Sequence, residues 1–160
     1  MLTPEERQRR IAIIREFPAR LTELVNPLSE EQLTARPLLN EWTVKQIVHH
    51  LPDSHMNSVT RLKLILTEDH PTLQPYDQEK WALLADVDQT PIQASLDILV
   101  GLHERWSNLL DSLTEEQRQR TGYHPENGDM TPDDLVVVYS DHCDAHWEQI
   151  TRTLAEQTAL

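Results

Sequence analysis

Apolar residues in this chain recur at intervals of three and four almost from end to end, a period that selects helices over strands. The clearest run lies near the C-terminus, where Leu135, Tyr139, His142, His146, Ile150 and Leu154 fall on one stripe of a helix. That helix is predicted to open at Thr131-Pro132-Asp133-Asp134, a cap followed by acidic residues against the positive end of the dipole, and to reach about Ala155. At 1.5 Å per residue it is roughly 36 Å long. The first helix follows a capping box at Thr3-Pro4-Glu5-Glu6, carries Ile11, Ile14, Phe17, Leu21, Leu24 and Val25, and ends at Asn26-Pro27. Pro18 within it is a candidate kink. A second helix begins near Thr43 and carries Ile47, His50, Leu51, Ser54 and Val59 to Leu66. Pro52 should remove one of its backbone hydrogen bonds and bend it beside His50. A third runs from Pro91 through Ile92, Leu96, Leu99, Leu102, Trp106, Leu109 and Leu110.

The connections sharpen this picture. Leu28-Ser29-Glu30-Glu31-Gln32 and Leu113-Thr114-Glu115-Glu116-Gln117 are matching capped turns, one after the first helix and one after the third. The proline-spaced stretch from Asp69 to about Thr90 is too long for a simple hairpin between the second and third helices. The expectation is an all-α, four-helix bundle with a long crossover between helices two and three, built as one domain over residues 1–160. Only three glycines occur, too few for a phosphate-cradling loop or many tight hairpins.

Several function classes fall away on composition. A net charge of −13 repels phosphate backbones and anionic lipid, so neither nucleic acid nor a membrane is an expected partner. No apolar run approaches the roughly 18 residues of a membrane span. The charged N-terminal segment does not read as a signal peptide, and a cytoplasmic setting is expected. Cys143 is the single cysteine, so no intramolecular disulfide forms.

The histidines carry the chemistry. His142 and His146 stack one turn apart on a stripe that should face the bundle interior, and two imidazoles at that spacing share one metal ion. Eight histidines occur, so an H-x-x-x-H pair alone is weakly informative. His50 lies three residues after Ile47 on the inward face of the second helix, whereas His49 is rotated away by about 100°. Ligands from facing helices are the usual arrangement in bundles, and three neutral imidazoles leave a position open, as catalytic sites do. Packed or solvated histidines are the alternative at this point.

Trp42-Thr43-Val44 leading to Val48-His49-His50-Leu51-Pro52-Asp53-Ser54-His55-Met56-Asn57 resembles the first motif of the DinB/YfiT-like superfamily. Arg61-Leu62-Lys63-Leu64, Pro75-Tyr76, Trp81, Tyr123-His124-Pro125-Glu126 and Tyr139-Ser140-Asp141-His142-Cys143-Asp144-Ala145-His146 match its YfiT branch in order. The resemblance spans roughly residues 10 to 150. It implies an up-down-down-up bundle and a divalent metal, zinc or nickel, held by His50, His142 and His146. A small residue is usual where Pro52 stands. Members pair into homodimers, and one is expected here.

Around the triad, Asp53 is a candidate to accept a hydrogen bond from a ligand imidazole, and Tyr139 to reach substrate. Tyr76 and Trp81 are candidates for the pocket mouth. Cys143 is expected to pack, about 100° off the ligand face. The residue after His142 is Cys143 rather than glutamate, which excludes a zincin peptidase. An open three-histidine site lowers the pKa of a bound water or activates a thiol as thiolate. The resemblance implies either a metal-dependent hydrolase of small molecules or a transferase of a low-molecular-weight thiol such as bacillithiol. A non-catalytic metal-binding bundle is the reading from another class.

Overall fold

The computed structural model describes residues 2–158. Its elements are α1 (Pro4–Val25), α2 (Glu30–Thr34), α3 (Val44–Thr67), α4 (Gln78–Trp81), α5 (Ala85–Gln89), α6 (Ile92–Ser112), α7 (Glu115–Arg118), β1 (Gly122–His124), β2 (Gly128–Met130) and α8 (Pro132–Thr158). Three of the four long helices begin where the caps predict, and α6 begins after Pro91 without a side-chain cap. Thr3, Thr43 and Thr131 each accept from the backbone amide three residues on, and Gln46 closes a capping box over the start of α3. The turns at Ser29 and Thr114 are the one-turn helices α2 and α7, each with a complete capping box.

Two apolar clusters fix the topology. Phe17, Leu21 and Val25 from the end of α1 meet Val44, Ile47 and Leu51 from the start of α3, Leu96 and Leu99 from the start of α6, and Ile150 near the end of α8. The other cluster joins Ile11 and Ile14 from the first half of α1, Leu62 and Ile65 from the end of α3, Trp106 and Leu110 from the end of α6, and Leu135 and Val136 from the start of α8. Ends and starts pair this way only in an up-down-down-up bundle. α1 and α3 each pack against both α6 and α8. Because α3 and α6 run parallel, the chain must travel the length of the bundle between them, and the crossover does so.

The crossover is pinned rather than loose. Gln46 Nε2 donates to the Ala82 carbonyl, Lys45 Nζ to the Asp88 carbonyl, and His49 bridges Ser95 Oγ at 2.8 Å and the Thr90 carbonyl at 3.1 Å. The short helices α4 and α5 were hidden in the sequence by flanking prolines. The antiparallel hairpin of β1 and β2 is a small addition to the all-α bundle, and its three-residue strands show no alternation to detect in the sequence. The Leu73 amide donates to the Tyr123 carbonyl and the Tyr123 amide to the Pro71 carbonyl, so the crossover and hairpin form one wall. Gly122 is required there: a Cβ would lie 3.0 Å from Ile65 and Leu73 side-chain atoms. α3 continues unbroken through Pro52, which leaves the Val48 carbonyl without its helical donor.

Candidate metal centre

Between the two apolar clusters the bundle interior turns polar, and most of that layer is histidine. His50 comes from the second turn of α3, and His142 and His146 from the middle of α8. Their ligand-capable nitrogens all lie within 4.8 Å of one another. His142 Nε2 is 3.2 Å from His50 Nε2 and 3.1 Å from His146 Nε2. Tetrahedral coordination at Zn–N distances of 2.0–2.1 Å places ligand nitrogens about 3.3 Å apart, so the spacing fits one small divalent ion. Among the described residues this is the one such group of histidine, cysteine and acidic side chains.

Electrostatics suit the same role. Burial, reinforced by neighbouring His146, pushes His50 down to about 3, and burial lowers His142 and His146 as well. All three rings are therefore neutral near pH 7, the form that offers a lone pair to a metal. Two of the rings are also held from behind by hydrogen bonds. His146 Nδ1 donates to Gln149 Oε1 at 2.9 Å, and Gln149 Nε2 in turn reaches Glu41. His142 Nδ1 meets His55 Nε2 at 3.1 Å. Trp42 lies 4.8 Å from the His50 ring and parallel to His146 at 6.4 Å, closing one side.

The other candidates divide. Tyr139 lines the cleft beside His142, but its hydroxyl is committed to the Ser54 carbonyl at 3.2 Å. Tyr76 also lines the cleft. Trp81 does not: it is partly exposed and packs behind Tyr76, ring centres 4.5 Å apart. Asp53 makes no hydrogen bond to any histidine of the triad. Burial and the Asp86 charge from α5 raise it to about 6. Cys143 is buried in the apolar cluster, as expected, with its thiol pushed up by burial.

Two participants escaped sequence reasoning. His55 and His103 are fully buried, and burial depresses both, His103 to about 4. His103 falls on the stripe Leu96, Leu99, His103, Trp106, Leu110, where a histidine in a leucine's place was the available signal.

Of the triad, His142 lines a polar cleft of about 680 Å³, within the range of small-molecule sites, while His146 faces a second cavity beside Trp42 and Gln149. Ser54, Arg61, Tyr139 and His142 line the polar cleft on the bundle side, and Tyr76, His124 and Asn127 on the wall. Arg61 Nη2 is anchored to the Gln74 carbonyl at 2.6 Å. His124 Nδ1 accepts from the Glu126 amide and Asn127 Nδ2, so its neutral ring carries hydrogen on Nε2.

Fold and triad together define a helical-bundle protein built to hold a divalent ion among histidines, and the DinB superfamily model matches residues 13–150. The chain belongs to the DinB superfamily. It is 44% identical over 138 residues to a Bacillus cereus (strain 03BB102) protein named "Putative metal-dependent hydrolase", covering 86% of this chain and 79% of that one. A Bacillus anthracis (strain CDC 684) protein of the same name is 43% identical over the same shares. Among solved structures, YfiT from Bacillus subtilis superposes with a TM-score of 0.86 at 38% identity, covering 97% of this chain and 91% of that one. It is described as a probable metal-dependent hydrolase with an unusual four-helix bundle topology.

Proposed function

We propose that this protein is a metal-dependent hydrolase of small molecules, with His50, His142 and His146 as the ligands of one zinc or nickel ion. The observation that carries the reading is the convergence of three neutral imidazoles, one of which, His142, lines an open cleft. When bound, the ion supplies Lewis acidity toward a water or a substrate oxygen. The chain's own residues supply the rest. Trp42 shields one side of the triad, and Tyr76, its hydroxyl kept protonated by burial, offers a donor to substrate. Arg61 from α3 and the Nε2–H of His124 from β1 are further donors of the cleft, suited to a substrate bearing a carboxylate or other acceptor group away from the reacting bond.

One observation favours a second reading, transfer of a low-molecular-weight thiol to an electrophile. No carboxylate among the described residues is hydrogen-bonded to His50 or His142, so the site lacks an evident general base. A thiol that coordinates an ion needs none, because coordination itself deprotonates it. The deciding experiment gives zinc- and nickel-loaded protein a panel of esters and amides, with and without carboxylates, beside a thiol plus a chromogenic electrophile. Hydrolysis with a several-fold higher KM for carboxylate substrates in Arg61→Met supports the first reading, and thiol-dependent turnover alone supports the second. No turnover by either route, or full metal retention in His50→Ala and His146→Ala, would refute the enzyme. A homodimer and a cytoplasmic setting belong to the same proposal, the former checked by sedimentation equilibrium.

A further inference from the structure

His55 and His103 belong to no ligand set, yet they are among the most deeply buried polar side chains of the bundle. Phe17, Trp106 and Tyr139 pack around their rings. A buried imidazole without partners forfeits the hydrogen bonds it made to water, so its contacts are informative. Here they form an unbranched line. His103 Nδ1 is 2.5 Å from the Ile14 carbonyl oxygen. His103 Nε2 is 2.7 Å from His55 Nδ1, and His55 Nε2 is 3.1 Å from His142 Nδ1. The remaining nitrogen of His142 is the one that faces His50 and His146.

The far end fixes the direction of every bond. A carbonyl oxygen only accepts, so His103 Nδ1 carries a hydrogen. No carboxylate among the described residues is hydrogen-bonded to the line, and a charged imidazolium buried without one is costly, so each ring holds a single hydrogen. His103 Nε2 must then accept, which makes His55 Nδ1 the donor. His55 Nε2 accepts in turn, which puts the hydrogen of His142 on Nδ1 and leaves Nε2 bare. Ile14 is free to end the line for a reason visible in the sequence. Its helical donor would be the amide of residue 18, and residue 18 is Pro18, which has no N–H.

We propose that His55 and His103 are positioning residues that lock His142 in its Nδ1–H tautomer, the polarity of the line being set by the Ile14 carbonyl that Pro18 leaves unclaimed. The proposal rests on His142 being a ligand through Nε2. It gives the ligand an outer partner that is neutral, where a carboxylate or backbone carbonyl is more usual. A neutral acceptor lends the imidazole little extra negative charge, so an ion held there keeps more of its own.

The test is independent of turnover. Long-range ¹⁵N–¹H spectra of the zinc-loaded, ¹⁵N-histidine-labelled protein report which ring nitrogen carries hydrogen. The expected result is Nδ1–H for His55, His103 and His142 alike. An Nε2–H tautomer at His55 or His103 overturns the line. In parallel, zinc affinity is read by competition with a chromogenic chelator in two variants that leave every ligand in place. His103→Phe keeps the ring and removes both polar contacts, and is expected to weaken zinc about tenfold or more. His103→Gln, whose amide oxygen can accept from His55, is expected to restore most of that loss. Equal affinity in wild type and His103→Phe refutes the proposal; if that variant does not fold, the tautomers of the wild type decide alone. Normal zinc binding in His142→Ala retires the ligand assignment itself, whereas normal binding with the wrong tautomers retires only the line.

Discussion

α8 carries two buried polar clusters, and they are built on opposite plans. At its N-terminal turn, Asp133 accepts from Arg7 Nε at 2.9 Å and Arg7 Nη2 at 2.8 Å, while Arg118 Nη1 stands 3.5 Å away and its Nη2 donates to the Leu110 carbonyl. Charge meets charge there, and the strong donors of both guanidinium groups are turned onto acceptors of the chain. In the middle of the same helix, His142 and His146 join neutral rings whose lone pairs point at one another with nothing of the protein between them. A cluster that stabilises a fold consumes its own valences. A cluster that awaits a ligand leaves them converging. On the proposed assignment, the difference separates a binding cluster from a structural one better than a neighbouring cavity does, since both clusters lie beside cavities.

Removing His142 by His142→Ala should have the largest effect. Stoichiometric zinc binding should disappear, a loss well beyond the 10–100-fold that changes behind a ligand produce, as measured by chelator competition. Asp133→Ala should do the reverse. It strands two buried guanidinium groups and is expected to cost about 3–5 kcal/mol of stability in denaturant unfolding, with zinc stoichiometry of the folded protein unchanged. The two positions are roughly 13 Å apart along α8, so their effects on stability should add. Strong coupling between them would break the comparison.

Acid should separate the clusters without mutation. His103 sits near 4 in the folded protein, below the ordinary 6.5, because burial disfavours its charge. The unfolded chain therefore takes up a proton first, and metal-free stability should fall as pH drops below about 6.5, by at most roughly 3 kcal/mol from this residue. For Asp133, burial pushes upward, but the Arg7 hydrogen bonds and the charges of Arg7 and Arg118 outweigh it and hold the carboxyl below its usual range. Its contribution is present above about pH 3.9 and is lost only as pH falls through the depressed folded value. Denaturant unfolding at pH 7, 5 and 3 should show two successive losses, the second missing in Asp133→Asn. The smallest change is Tyr139→Phe, which deletes one bond to the Ser54 carbonyl between the clusters. About 1 kcal/mol of stability should go, with zinc affinity untouched.

Much of this was legible in the sequence because the signals were local. Caps and prolines delimit the long helices, and the one-turn spacing of His142 and His146 is a property of α8 alone. His50 needed the topology as well, and the resemblance of its surrounding motif supplied it. Asp53 was misplaced by the same local logic: three residues from His50 is near on a helix, but its carboxyl answers to Asp86 across the crossover. His55 and His103 are 48 residues apart and belong to different helices, so no spacing rule could join them. The hairpin and the cleft wall were unreadable for a similar reason, being held by backbone bonds between segments that carry no pattern of their own.

The parallel course of α3 and α6 has a consequence for how the protein is made. His50 and His142 are separated by 92 positions, with the whole crossover and α6 between them. Contacts of such long range form late, after loop closure has been met by other gains. A nascent chain that has emerged only through α6 holds one member of the triad and cannot capture an ion with three. On the proposed ligand assignment, metal uptake would report that the last helix has docked.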